Sequence, residues 1–195
     1  MTSSVSDFGR DHGLIHEAVI TGRKAGWTAD EWSLLAHSEE RMREVRQYLR
    51  GHASITAIEH VIDSDANPFV PDGWSIEVHQ KGGAFKWDKE SQKDALHLDE
   101  GQKNGKWIEG NKLRKELANQ PVLNTNVLDY LFDHPHLIPE EWKRKVVFFW
   151  GTIYRYRDGD LYVRCLHWHG GRWHWFFYWL GSDWGDGRPA AVSAS

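Results

Sequence analysis

"VVFFWGTIYRYRDGDLYVRCLHWHGGRWHWFFYWL", residues 146–180, is the stretch that decides the fold. It contains three runs rich in β-branched and aromatic residues, separated by breaks at Asp158-Gly159 and Gly170-Gly171. Residue pairs of this kind form the two-residue turns that join neighbouring antiparallel strands. The sequence therefore predicts a three-stranded antiparallel meander in this part of the chain.

The two turns also predict the pairing of the strands and the composition of the two sheet faces. In the first hairpin Tyr154 would lie opposite Val163 and Trp150 opposite His167, and in the second His167 would lie opposite His174. Because side chains alternate along a strand, one predicted face carries Trp150, Thr152, Tyr154, Val163, Cys165, His167, His174, Phe176 and Tyr178. The other carries Phe149, Ile153, Arg155, Tyr162, Arg164, Leu166, Trp168, Trp173, Trp175, Phe177 and Trp179. Neither face is polar, so other elements must cover both, or one face binds a partner.

Helices are predicted in the N-terminal part of the chain. Thr28 and Glu31 have the spacing of a capping box, in which each side chain accepts a hydrogen bond from the other residue's backbone N–H. A further helix would begin after Ser38 and end at Gly51. Its apolar face would carry Met42, Val45 and Leu49.

The sequence of the middle of the chain predicts a mixture of short strands and helices. We expect a strand near residues 55–62, a hairpin within residues 74–88 around Gly82-Gly83, and two short helices within residues 111–133. The predicted fold class is thus α+β, with a helical N-terminal region, a small mixed middle and a Trp-rich C-terminal antiparallel β-meander. The N-terminal helical region covers residues 1–52 and the α+β domain residues 53–195, and we expect one compact unit.

The composition limits the class of protein. Of the 195 residues, 40% are hydrophobic and twelve are Trp, which is enough to build an aromatic core, and the net charge of −4 argues against a protein that coats nucleic acid. The single cysteine, Cys165, forms no intrachain disulfide and suits a reducing compartment. The sequence has neither a signal-peptide pattern nor a run of 18 apolar residues, so we expect a cytoplasmic protein without a membrane-spanning helix.

Several motifs carry a resemblance to a known family. These are "FVPDGW" from residue 69, "KGGAFKWD" from residue 81, "NKLRKEL" from residue 111 and "VVFFWGTIYR" from residue 146. In these motifs the chain resembles a widespread family of bacterial hypothetical proteins, and the similarity covers roughly residues 55–192. The family has no assigned activity, so the resemblance implies no catalytic residue for this chain.

One candidate metal site follows from the predicted pairing. Cys165, His167 and His174 would share a sheet face, and thiolate and imidazole are ligands that zinc accepts. The sequence contains no paired C-x-x-C or H-E-x-x-H motif, and a fourth ligand is not evident. A His pair stacked beside Trp150 is the favoured alternative, and no cofactor is expected.

A candidate nucleic-acid interface lies in the predicted helix pair at residues 111–131. Its basic residues would be Lys112, Arg114 and Lys115, together with Lys143, Arg144 and Lys145. The second helix contains Asp129 but no Lys or Arg, and affinity for DNA depends strongly on neutralising phosphates. Two ordinary helices that pack Leu113, Leu117, Leu128 and Leu131 on the sheet are therefore favoured.

The function that the sequence favours is binding without catalysis. Trp and Tyr offer large, rigid contact surfaces, and the candidate binding residues are Arg155, Tyr162, Arg164, Trp168, Trp173, Trp175 and Trp179. The expected partner is another protein; nucleic acid is the first alternative and a glycan a less favoured one. A metal-dependent or other small enzyme is a further alternative, although no residue has an identifiable catalytic role.

Overall fold

A computed structural model describes residues 8–56 and 58–194, with side-chain burial from residue 11 onward. Contacts between residues divide the chain into two compact units, Met1–Ile58 and Glu59–Ser195. The division therefore follows Ile58, a few residues beyond the predicted boundary after residue 52.

The first unit is helical, as predicted. Its helices are α1 (Phe8–Lys24), α2 (Ala29–Ala36) and α3 (Glu39–Leu49). The capping box is confirmed, because the Thr28 N–H donates to Glu31 Oε2 (2.7 Å) and the Glu31 N–H donates to Thr28 Oγ1 (3.2 Å). Gly51, just beyond α3, has a φ of 72°, which favours glycine at a helix C-terminus.

The second unit is a mixed α+β structure, which confirms the predicted fold class. Its helices are α4 (Lys89–Gln92), α5 (Gly110–Glu116) and α6 (Thr125–Asp133), and short 3₁₀ turns occupy Leu117–Asn119, Pro135–Leu137 and Glu140–Arg144. Its strands are β1 (His60–Asp63), β2 (Ser75–His79), β3 (Ala84–Trp87), β4 (Leu96–His97), β5 (Ile108–Glu109), β6 (Val146–Arg155), β7 (Leu161–His169), β8 (Arg172–Trp179), β9 (Asp183–Trp184) and β10 (Ala190–Ala191). The strand predicted near residues 55–62 corresponds to β1, and residue 57 lies outside the described residues.

The central sheet contains the predicted meander. Its strand order is β4-β10-β6-β7-β8, and β2 also pairs with β6. The β7–β8 hairpin has the predicted register, with His167 opposite His174. Gly170 and Gly171 both have positive φ (58° and 80°), as a two-residue turn between twisted strands requires.

The register predicted for the β6–β7 hairpin is wrong. Tyr154 lies opposite Tyr162 because the turn is not the predicted two-residue turn at Asp158-Gly159. Three residues, 157–159, lie between Tyr156 and Asp160, and the Tyr156 N–H donates to the Asp160 carbonyl. An irregularity between Phe148 and Ile153 then shifts the register again, so His167 lies opposite Val146 instead of Trp150. Within it, the Gly151 N–H donates to the Leu123 carbonyl and the Gly151 carbonyl accepts from the Gln80 N–H.

The changed register at the turn alters the predicted sorting of side chains. Ile153 packs with Val163 and Cys165 in one core cluster, although the prediction put it on the other face. Tyr154 instead contacts the ring of Phe177 at 5.0 Å. The longer turn displaces this end of β6 by one residue from the predicted pairing, and a slip of one residue moves each side chain to the opposite face, which explains both corrections.

The predicted hairpin at residues 74–88 is also wrong. β2 pairs antiparallel with β6, and β3 pairs antiparallel with β1. Of the two glycines between β2 and β3, only Gly83 has a positive φ (68°). A type I′ turn needs positive φ at both central residues and a type II′ turn needs it at the first, so Gly82-Gly83 does not join paired strands.

Each face of the meander packs against a helix. On one face Phe149, Leu166 and Trp173 pack with residues of α6, including Leu128 and Leu131. On the opposite face Phe148, Val163 and Cys165 pack with Leu113 of α5 and with Leu117 and Trp184. The helices α5 and α6 therefore lie on opposite faces of the sheet. In the described part of the chain, no helix has the length and apolar character needed to cross a bilayer.

Candidate functional site

The loop between β1 and β2 lies over one face of the meander and adds two aromatic side chains to it. Phe69 contacts Trp175 at a centroid separation of 6.1 Å. Trp74 stacks on Phe177 at 4.3 Å with an angle of 22° between the rings, and it lies 5.0 Å from the ring of Tyr162. The face with the Trp-rich side chains is therefore partly covered by the chain's own loop.

An aromatic surface remains accessible on this face. We define the aromatic surface as Phe69, Trp74, Tyr156, Tyr162, Trp175, Phe177 and Trp179. Phe69 is 51% exposed and Trp179 is 44% exposed, Tyr156 is also exposed, and the other four are half-buried. Apart from Trp179, each of these rings lies in edge-to-face, tilted or stacked contact with another member of the surface, and such contacts favour defined ring positions.

Trp179 occupies the end of this surface. It is the Cα partner of Tyr162 across the β7–β8 ladder, which places both side chains on one face. A Cβ atom added at Gly181 would lie 2.3 Å from the Trp179 ring, so the ring rests against the backbone that follows β8. The largest exposed ring of the surface therefore has a defined position.

A buried ion pair supports the aromatic surface from below. Arg164 is only 1% exposed and donates two hydrogen bonds to Asp129 of α6, from Nη1 to Oδ2 at 3.0 Å and from Nη2 to Oδ1 at 2.6 Å. The guanidinium also lies 4.1 Å from the centre of the Trp175 ring. Burying a guanidinium is costly unless it is paired, so this arrangement fixes α6, β7 and Trp175 together.

A hydrogen-bond network ties the loop to the sheet. The Tyr154 hydroxyl donates to the carbonyl of Phe69 at 3.0 Å and lies 3.0 Å from the hydroxyl of Thr125. Thr125 in turn donates to Thr152 Oγ1 at 3.1 Å. Burial raises the pKa of Tyr154, so this phenol keeps its proton and remains a donor. Phe69 is thereby held at its backbone.

The margin of the aromatic surface is acidic. Burial raises the pKa of Tyr162, and the nearby carboxylates of Asp158 and Asp160 raise it further. Asp72 is exposed in the loop just before Trp74, whereas the charge of Asp129 is balanced by Arg164. The Arg157 guanidinium lies against Gly73 and is the cation at this margin. The surface therefore combines aromatic rings with an excess of negative charge.

The structure places the predicted binding residues in four different settings. Tyr162, Trp175 and Trp179 belong to the aromatic surface, whereas Trp168 is half-buried beneath the Lys143 ammonium, which lies 4.2 Å from its ring centre. Arg164 and Trp173 are buried, so they support the sheet instead of contacting solvent.

Arg155 departs from the predicted surface altogether. The three-residue turn after β6 places it opposite Leu161 instead of Tyr162, and its Nη2 pairs with Glu77 Oε2 at 2.7 Å. Sequence reasoning also missed Phe69, Trp74 and Tyr156. Their only signal was the presence of aromatic residues in Pro- and Gly-rich loops, where a core residue is unusual.

The geometry does not favour the weak metal candidates. The Cys165 thiol is buried and directed at the carbonyl of Phe176, and burial raises its pKa far above the ordinary value, so it stays protonated. His167 and His174 do lie together, with ring centroids 5.4 Å apart. Within residues 8–56 and 58–194, no group of three or more His, Cys, Asp or Glu side chains is arranged to hold a metal ion.

The candidate nucleic-acid residues do not converge on one surface. α5 and α6 pack on opposite sheet faces, and Arg114 approaches Glu77 at 3.7 Å. Lys143 pairs with Glu140 at 2.7 Å. Comparison with known proteins adds no relative, because no family model, curated protein or solved structure matches the chain.

Proposed function

We propose that this protein is a non-enzymatic binding protein whose aromatic surface recognises a segment of another protein. The observation that carries the proposal is a set of contacting rings from Phe69 through Trp175 and Phe177 to Trp74, with Phe69 and Trp179 exposed on the same sheet face. Aromatic side chains in fixed positions give large contact area with little loss of conformational entropy on binding.

Preorganisation supports binding over a purely structural role. The Arg164–Asp129 ion pair and the Tyr154 hydroxyl stabilise the residues beneath the aromatic surface. The side chains of Trp179 and Phe69 are nevertheless about half exposed to solvent. A ligand therefore meets rings that do not have to be ordered first, and the entropy cost of association falls.

The charge around the surface indicates the chemistry of the partner. Asp72 precedes Trp74 in the loop and Asp158 and Asp160 lie near Tyr162, so carboxylates accompany rings that attract cations through their faces. A segment with exposed Lys or Arg side chains complements this combination, whereas the phosphates of a nucleic acid would be repelled. We therefore propose a basic protein segment as the partner.

A cytoplasmic location is part of the proposal. A chain with a single cysteine forms no intrachain disulfide, and here the thiol is buried in the core. Such a protein gains no stability from an oxidising compartment, which favours a reducing one.

Selection from a library of random phage-displayed peptides tests the proposal. The wild-type protein is expected to enrich peptides rich in Lys and Arg, and Trp179→Ser is expected to weaken their binding by about 30-fold. Trp107→Ser is the matched control, because Trp107 is exposed in the same unit but lies outside the aromatic surface. Equal enrichment by all three proteins would overturn the proposal, as would selective retention of single-stranded DNA by the wild type.

A further inference from the structure

The first unit presents an apolar stripe along α3. Met42, Val45 and Leu49 follow one another at spacings of three and four residues, and they are 53%, 36% and 77% exposed. Among residues 11–56 and 58, whose burial the structure describes, no side chain is buried. Helical stability in proteins comes mostly from packing an apolar face, and the described residues of this unit show none of the burial that normally stabilises such helices.

A groove accompanies the stripe on its α2 side. The apolar walls are formed by Trp27, Leu34, Leu35 and Val45, and the groove has a volume of about 360 Å³. Glu31, Arg41 and Glu44 line the same groove. Val45 belongs to both the groove and the stripe, so one partner can cover both.

The spacing of the stripe matches the seam of a coiled coil. When Met42 and Leu49 take the a positions and Val45 takes the d position, the flanking e positions fall at Glu39 and Arg46. The g positions fall at Arg41 and Tyr48. The two e positions therefore carry opposite charges.

This charge pattern distinguishes between two ways of pairing α3 with itself. In an antiparallel pair of helices, e positions face e positions, so Glu39 would meet Arg46 of the second copy and Arg46 would meet Glu39. In a parallel pair, g faces e of the next heptad, so Arg41 would meet Arg46 of the second copy and repel it. Self-pairing is therefore complementary only in the antiparallel orientation.

We propose that two copies of this chain associate through an antiparallel pair of α3 helices. Met42 packs on Val45 of the second copy, and Leu49 covers the second copy's Ser38, where α2 meets α3. Two Glu39–Arg46 ion pairs flank the seam. The existing Arg43–Glu39 pair (2.7 Å) joins side chains that are 65% and 88% exposed, so it is weak and easily exchanged.

This association concerns the first unit and does not depend on the proposed function of the aromatic surface. The symmetry is that of an isologous dimer, in which each helix offers the same surface to the other. The α2–α3 groove lies beside the seam on each copy and enlarges the contact beyond the short helix.

Analytical ultracentrifugation of the full chain at micromolar concentrations tests the dimer. The weight-average mass is expected to rise with concentration from 22.7 kDa towards twice that value. Val45→Asp is expected to remain monomeric. A circular dichroism spectrum checks that α3 is still helical in that variant.

A charge exchange distinguishes this dimer from other associations. Glu39→Arg is expected to weaken dimerisation about tenfold, because it faces Arg46 of the second copy, and Glu39→Arg/Arg46→Glu is expected to restore it. Glu40→Arg makes the same change one residue along, away from the seam, and is expected to leave dimerisation unchanged. A wild-type chain that stays monomeric, or a double variant that fails to recover, overturns the proposal.

Discussion

Arg164 and Asp129 form a bidentate ion pair that joins the middle strand of the meander to α6, with nitrogen–oxygen distances of 2.6 Å and 3.0 Å. Arg164 is nearly inaccessible, whereas Asp129 is partly open to solvent. The pair fixes Trp175 through the guanidinium, which lies over its ring. Arg164, which the sequence suggested as a binding residue, therefore supports the aromatic surface from the interior of the protein.

Removing one member of this pair should destabilise the protein more than removing both. Asp129→Ala leaves a buried guanidinium unpaired and is expected to lower the free energy of unfolding by about 2–3 kcal/mol, a value reduced for the exposure of Asp129. Arg164→Met/Asp129→Ala removes the charge as well and is expected to recover most of the loss. Urea unfolding measures the free energy of unfolding of both variants. A larger loss of stability in the double variant than in Asp129→Ala would contradict this account.

Gly151 should not tolerate a side chain. A Cβ there would lie 2.8 Å from the backbone nitrogen of Asn124, and backbone cannot move aside as a flexible side chain does. Gly151→Ala is therefore expected to lower the free energy of unfolding by about 1–3 kcal/mol. Gly13→Ala, in α1 with nothing within 4 Å of its added Cβ, serves as the control and is expected to be neutral or stabilising.

The Cys165 thiol should be inert in the folded protein. It is buried, its proton is directed at the Phe176 carbonyl, and burial raises its pKa far above the usual range, so the reactive thiolate is scarce. A thiol reagent is expected to label it only after unfolding in urea. Rapid, stoichiometric labelling of the native protein would show that this strand opens readily or that the thiol is accessible.

Stability should fall as the pH drops below the ordinary titration range of histidine. Burial lowers the pKa of His167 from 6.5, and the neighbouring His174 and His169 lower it further. The unfolded chain therefore binds a proton more readily than the folded one, and the stability that His167 contributes above pH 6.5 is lost as the pH falls towards its folded pKa.

Urea unfolding at about pH 7.5 and about pH 5.5 measures this effect. His167→Gln is expected to reduce the difference between the two conditions, whereas His136→Gln, at an exposed site, is expected to reduce it less. An imidazole of His167 that titrates above 6.5 by NMR would contradict the argument.

Local turn chemistry explains which parts of the fold could be predicted. Gly170-Gly171 forms its turn from adjacent residues alone, and the β7–β8 register followed correctly. The first hairpin differs from the prediction because its turn holds three residues between Tyr156 and Asp160, a length that the pair Asp158-Gly159 alone does not determine. That difference of one residue explains why the position of Arg155 was predicted incorrectly. The irregularity farther along β6 accompanies hydrogen bonds between Gly151 and both Leu123 and Gln80, and no pattern within residues 146–155 encodes those partners.

The aromatic surface was only partly predictable for the same reason. Alternation along β7 and β8 placed Tyr162, Trp175 and Trp179 on one face correctly. The positions of Phe69 and Trp74 depend on how the loop after β1 folds over the sheet, a contact that spans about a hundred residues of sequence. Burial of Arg164 likewise depends on Asp129, which belongs to another element.

The indole N–H signals of the tryptophans, recorded by NMR during titration with a synthetic arginine-rich peptide, test the central claim most directly. Binding at the aromatic surface is expected to shift the signals of Trp74, Trp175 and Trp179, while those of the fully buried Trp142 and Trp184 stay in place. A peptide that shifts only Trp27 or Trp107, or none of the twelve signals, would contradict the claim.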